Sequence, residues 1–156
     1  MPLVFDERQL LPPGVHEATL EEIETHFARF QRTDRRITLF AKLKAYVAEV
    51  KRTGWVCSVI IDGSFVMPSV DEPNDIDLIL VMPTNWDITA DLRPFEYNVV
   101  SKKYTKREYK IKVYPVLPGS EPEQKYLELF QQVRIEWCRQ FRWPADSRKG
   151  IVRILS

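Results

Sequence analysis

Val56-Cys57-Ser58-Val59-Ile60-Ile61-Asp62 runs directly into Gly63-Ser64, and ten residues later Asp75-Ile76-Asp77 opens the run Leu78-Ile79-Leu80-Val81. Two apolar stretches of β-type composition thus flank a small-residue turn and a proline-broken loop. Both read as strands, and their nearly continuous apolarity suits central strands covered on two faces. The second strand opens on alternating aspartates. Side chains alternate across a strand, so Asp75 and Asp77 fall on one face, roughly 6–7 Å apart along it. Two carboxylates on one rigid face suit a hard divalent cation such as Mg²⁺ or Mn²⁺, which takes oxygen ligands. Gly63 lets backbone approach a ligand closely, and Ser64 offers an N–H and a hydroxyl to a phosphate. A Gly-Ser pair alone is an ordinary turn, and Asp-x-Asp alone is an ordinary strand end. Their combination is restrictive, because like charges on a buried strand are costly unless a cation or basic partner lies between them.

Outward from this stretch, the chain supplies helices and one or two more strands. Residues 1–14, with Pro12-Pro13-Gly14, read as an extended arm whose Leu3-Val4-Phe5 and Leu10-Leu11 are expected to pack on their own domain. Thr19 with Glu22 forms a capping box, opening a helix to about Phe30. Ile37, Phe40, Leu43, Val47 and Val50 recur at helical spacing from about Asp34 to Thr53, and Gly54 supplies the stop. The strands are placed at about Trp55–Ile61 and Ile76–Met82, the latter halted by Pro83. A helix over about Ala90–Arg107, with Pro94 near its start, precedes a third strand from Tyr109 to Val116. A last helix runs from Glu123 to about Trp137, and Gly150–Leu155 can close with a short strand. The order α-β-β-α-β-α predicts an α/β (α+β) fold with helices packed on a mixed sheet, as one domain over residues 1–156.

A chain of 156 residues can bury a core without staples. Two cysteines are too few for a disulfide framework, and Cys57 and Cys138 read as packing residues. No signal pattern opens the chain and no apolar run approaches the ~20 residues of a spanning helix, so a cytoplasmic protein without membrane contact is expected. Net charge is +1 but unevenly spread. Lys102, Lys103, Lys106, Arg107, Lys110 and Lys112 are interleaved with Tyr104 and Tyr109. Arg134, Arg139, Arg142, Arg148, Lys149 and Arg153 follow, with Trp137 and Trp143 among them. Such clusters are commonly solvated faces, yet basic residues among aromatics also suit phosphates or single-stranded RNA. Lys102, Lys103, Lys106 and Arg107 are the candidates to neutralise a nucleotide triphosphate.

Gly63-Ser64, ten residues, then Asp75-Ile76-Asp77 resembles the signature of the nucleotidyltransferase superfamily, including the minimal nucleotidyltransferases of bacterial toxin–antitoxin pairs. Leu11-Pro12-Pro13-Gly14-Val15-His16-Glu17-Ala18-Thr19 looks like the opening of a small bacterial family of unassigned function within that superfamily. Asp62-Gly63-Ser64-Phe65-Val66, Tyr126-Leu127-Glu128-Leu129-Phe130-Gln131 and Lys149-Gly150-Ile151-Val152 are similar to the same family. The resemblance implies a nucleotidyltransferase-like sheet in which Asp75 and Asp77 are catalytic metal ligands for Mg²⁺ or Mn²⁺. Gly63 and Ser64 would grip the phosphates of a nucleoside triphosphate, ATP first. The implied activity is transfer of a nucleoside monophosphate to a protein hydroxyl or an RNA end.

The resemblance also leads one to expect a third carboxylate on a later strand, where this chain has Lys112. A protonated lysine cannot ligate a cation and competes with it for the aspartates. Three outcomes stay open: Glu108 or Glu121 supplies the oxygen, one metal suffices, or catalysis has lapsed and Lys112 pairs with Asp75 or Asp77. In the last case the protein would act as an antitoxin or regulatory partner, for instance of a cognate toxin. An RNA-binding module that uses only the basic clusters is the remaining alternative.

Overall fold

A computed structural model describes residues 3–87 and 89–155. Strands β1 (Gly14–Thr19), β2 (Ser58–Asp62), β3 (Ile76–Val81), β4 (Ile111–Val116) and β5 (Gly150–Leu155) form one mixed sheet in the order β1-β5-β2-β3-β4. β1 runs parallel to β5 and β4 parallel to β3, whereas β2 is antiparallel to both of its neighbours. Among the described residues six α-helices accompany the sheet: α1 (Leu20–Phe27), α2 (Arg35–Arg52), α3 (Pro94–Val100), α4 (Lys102–Tyr109), α5 (Glu121–Leu129) and α6 (Ile135–Phe141). The predicted α/β class, a mixed sheet carrying helices, is what the chain adopts.

The sheet has two covered faces because β2 and β3 are apolar on both, as the sequence predicts. Val59, Ile61, Leu78 and Leu80 face α1–α4, where Ile23, Phe27, Leu43 and Val50 complete the larger core. Ile60, Ile79, Val81, Val116 and Ile151 point the other way, under Tyr126, Leu127 and Phe130. A third cluster, built on Leu10, Met67, Val70, Val133 and Cys138, joins α6 to the loop that follows β2. Leu10 and Leu11 are 0% and 1% exposed, so the arm packs on its own chain, as expected.

Several boundaries differ from the expectation, each for a local reason. Gly14–Thr19 is a strand rather than the tail of an arm and the approach to a helix. As an edge strand it buries only Ala18 fully, so its sequence lacks the apolar signature of β2 and β3. The capping box of Thr19 and Glu22 is present, but α1 stops at Phe27 instead of about Phe30. β2 begins at Ser58, not Trp55, and Val56 is largely exposed.

The helix expected over Ala90–Arg107 begins at Pro94 and is two helices, because Ser101 leaves helical geometry and its hydroxyl caps the Tyr104 N–H at 3.2 Å. Tyr109 ends α4 instead of opening β4; Lys110, in left-handed geometry at φ 56°, turns the chain. The helix expected over Glu123–Trp137 is likewise broken, into α5 and α6. The break at residues 130–134 is fastened by Lys149 N–H donating to Gln131 O (2.7 Å) and Val133 N–H to Ser147 O (3.0 Å).

Candidate functional site

β2 ends on Asp62 and β3 opens beside it, and the antiparallel register sets Asp62 directly opposite Asp77. The parallel register on the other side sets Asp77 opposite Lys112. By alternation Asp62, Asp77 and Lys112 share the face of Ile60, Ile79 and Tyr114, the one that α5 covers. A charged row therefore crosses three strands at one end of this sheet face. Asp75 precedes β3 by one residue, and its Oδ2 lies 3.6 Å from Lys112 Nζ.

The central pair is deeply buried. Asp62 is 0% exposed and Asp77 5%. Both carboxylate oxygens of Asp62, and Oδ1 of Asp77, are buried without a hydrogen-bond partner. Burial first, and the Asp77 charge second, pushes the Asp62 carboxyl well above the usual carboxylate range, against the pull of Lys149 and Arg134. Burial and then Asp75 push Asp77 in the same direction, opposed by Arg134, Lys112 and Lys149. Lys149 is itself buried, which lowers its pKa, while Asp62 and Asp77 act to raise it. Its Nζ donates to Phe130 O at 2.6 Å.

Gly63 is required by this arrangement on two counts. Its φ of +85° lies in the region that L side chains rarely adopt, and a Cβ there would stand 2.6 Å from Asp77 Oδ2. A 3₁₀ turn, Ser64–Val66, follows. The loop is then clamped from α2 by Arg36, whose guanidinium donates to the carbonyls of Phe27, Ser64, Phe65, Met67 and Val70 at 2.6–3.3 Å. Arg36 is 1% exposed; burial lowers its pKa to about 10, with Asp71 opposing, so it stays charged at neutral pH. The small-residue turn is thus held rigid from behind.

The row opens into a cavity of about 590 Å³, in the size range of small-molecule sites. Gly63, Ser64, Asp75 and Asp77, four of the residues expected at a site, line it together, as does Lys112. Lys102, Lys103, Lys106 and Arg107 are not among its lining residues. They lie on α4, with Lys102 Nζ over the Tyr114 ring (4.5 Å) and Arg107 paired to Glu108 (3.1 Å). The lining cations besides Lys112 are Arg134 and Lys149. Glu108 and Glu121 are exposed helix residues outside the lining. The additional buried carboxylate belongs to Asp62, which sequence reasoning passed over as the last residue of a strand. Its signal was its position: two residues from Ile60 on an apolar strand, hence on an inward face.

Among the described residues no three His, Cys, Asp or Glu side chains group closely enough to hold a metal ion by themselves. The donor set still fits one hard cation. Mg²⁺ is commonly bound by one or two carboxylates with substrate phosphates and water completing its shell, and the unpartnered oxygens of Asp62 and Asp77 are donors of that kind. Elsewhere no helix among the described residues is long and apolar enough to cross a membrane.

The chain matches a family described as a family of unknown function, DUF6932, over residues 3–155, and it belongs to that family. No curated protein and no solved structure matches it.

Proposed function

We propose that the protein is a metal-dependent nucleotidyltransferase, acting on a nucleoside triphosphate seated in the cavity over Asp62, Asp75 and Asp77. The observation that carries this reading is the directly opposed Asp62–Asp77 pair. Three of its carboxylate oxygens are buried without a partner, at the floor of a cavity that also presents Lys112, Arg134 and Lys149. Buried like charges are tolerated where something supplies the missing positive charge. A cation held by Asp77 and Asp62, with Asp75 at the rim, would supply Lewis-acid stabilisation of the phosphates and of an incoming hydroxyl.

The chain's own groups have separate tasks. Gly63 keeps the turn close to Asp77 without a clash, Ser64 offers its amide and hydroxyl to the phosphates, and Arg36 prevents the turn from relaxing. Arg134 and Lys149 neutralise charge as the α–β phosphoanhydride breaks, a new bond forms from the acceptor oxygen to the α-phosphorus, and pyrophosphate leaves. The acceptor is a protein hydroxyl or an RNA end.

One observation favours a second reading. Lys112 already pairs with Asp75, as a vacated site held together by a lysine would require. In that reading the protein is a catalytically lapsed partner, such as an antitoxin. Calorimetric titration of ATP with and without Mn²⁺ separates the two, using wild type and an Asp62→Asn/Asp77→Asn double variant. Mn²⁺-dependent binding that the double variant loses supports the nucleotide site. Folded wild type that binds no ATP at millimolar concentration sinks it in favour of the lapsed partner.

A further inference from the structure

The cavity over the carboxylates has a second, apolar wall. Leu129 and Ile135 remain 46% and 41% exposed, and both line it where α5 gives way to α6. Trp137 is half-buried and lines the same cavity. Exposed leucines and isoleucines scattered singly need no explanation, but three large apolar groups lining one charged cavity describe a binding surface. Trp137 is also held in place. It stacks on Phe141 (6.2 Å, 26°), which stacks on Trp143 (4.7 Å, 26°), and Arg8 lies over the Trp143 ring at 5.5 Å. A tryptophan fixed in this way presents its surface to a ligand at little cost in rotamer entropy.

The neighbouring cation completes the pattern. Arg134 is exposed, makes no side-chain capping bond to α6, and lines the same cavity as Asp62 and Asp77. A bare polyphosphate would satisfy the cations and leave Leu129, Ile135 and Trp137 wet. A ligand with a flat π-face and an anionic tail covers both sides at once.

We infer that Trp137, with Ile135 and Leu129, is the platform that holds a nucleobase, and that Arg134 meets the phosphates attached to it. This rests on the nucleotide reading above and locates the base-holding part of the same site on the α5–α6 segment. Stacking of a base on an aromatic side chain is sequence-tolerant and typically contributes about fivefold to a hundredfold in affinity.

The test compares ATP with inorganic tripolyphosphate, each titrated in the presence of Mn²⁺ into wild type, Trp137→Ala, Trp137→Phe and Arg134→Gln. Wild type should bind ATP about fivefold or more tighter than tripolyphosphate. Trp137→Ala should remove that preference while leaving tripolyphosphate affinity unchanged, and Trp137→Phe should retain most of it. Arg134→Gln should weaken both ligands alike. Trp137→Phe also guards against misfolding, since it keeps the aromatic stack. If Trp137→Ala keeps the wild-type preference, or wild type shows none, the platform is overturned while the phosphate site stands. Folded wild type that binds neither ligand overturns the nucleotide reading along with it.

Discussion

Arg36 and the Asp62–Asp77 pair are both buried charges beside the same turn, one behind it on the α2 side and one in front of it on the α5 side. Arg36 has a carbonyl for every direction in which it can donate, so its burial cost is offset by geometry. The carboxylate pair lacks partners for three of its four oxygens. The first arrangement is a rigid support. The second holds polar groups in a state that only proton uptake or an added cation relieves, which is how a fold can keep binding capacity in reserve.

If that contrast is right, the largest loss of stability comes from the satisfied charge. Arg36→Met should destabilise the fold by about 3–5 kcal/mol, because four loop carbonyls and that of Phe27 lose their donor. Urea unfolding measures it, and Arg36→Lys should restore less than half, since an ammonium cannot reproduce the planar fork. A loss under about 1 kcal/mol would show that the loop does not depend on the clamp. Next comes Gly63→Ala, expected to cost about 2 kcal/mol from the positive φ and the contact with Asp77 together. In an Asp77→Ala background the cost should fall to about 1 kcal/mol, leaving only the backbone part. Equal costs in both backgrounds would mean that the Asp77 carboxylate simply moves aside.

The unsatisfied charge should behave in the opposite sense. The ordinary value for Asp62 is 3.8 and its folded value is higher, so the folded state binds more protons than the unfolded one in between. Stability contributed here is therefore present at low pH and falls as pH rises above about 4. Lowered Lys149 adds the opposite trend, but only on the alkaline side below 10.5. Asp62→Asn should stabilise the metal-free protein by about 1–2 kcal/mol at pH 7.5 and have little effect near pH 4. Thermal melts across that range, with Mn²⁺ added in a parallel series, read both effects. A stability gain from Asp62→Asn that does not grow between pH 4 and 7 would contradict the reading of an unpartnered pair. The smallest change belongs to Lys112. Its ion pair with Asp75 is 3.6 Å long with side chains 34% and 23% exposed, so Lys112→Ala should cost no more than about 0.5 kcal/mol. Lys112→Asp should nevertheless raise Mn²⁺ affinity, and weaker binding would place Lys112 away from the cation.

Much of this architecture was legible in residue pattern. β2 and β3 announced themselves through continuous apolar runs, α2 through its 3.6-residue stripe, and the start of α1 through a capping box that the structure reproduces bond for bond. The Gly-Ser turn and the Asp-x-Asp pair pointed to Gly63, Ser64, Asp75 and Asp77, which line one cavity. The errors fell where local signals are weak. Edge strand β1 carries His16 and Glu17 and lacks a buried run. The splits of α3 from α4 and of α5 from α6 depend on a serine cap and on hydrogen bonds from residues 147 and 149, far along the chain.

The candidate site divides in the same way. A glycine turn and an Asp-x-Asp strand are local chemistry, so the sequence by itself determined that a carboxylate-bearing turn exists between two buried strands. Register is not local: only the pairing of β2 with β3 and of β3 with β4 puts Asp62 across from Asp77 and Asp77 across from Lys112. A one-residue slip would turn every one of those side chains to the opposite face. Lys149 and Arg134 reach the cavity because the last strand returns to the sheet centre beside β2, carrying the fastened α5–α6 segment with it. The basic helix α4, with the denser run of positive charge, packs on β4 and α2, and none of its cations is among the cavity-lining residues. Charge that clusters in sequence is set by composition; charge that converges in space is set by packing, and here the two are different residues.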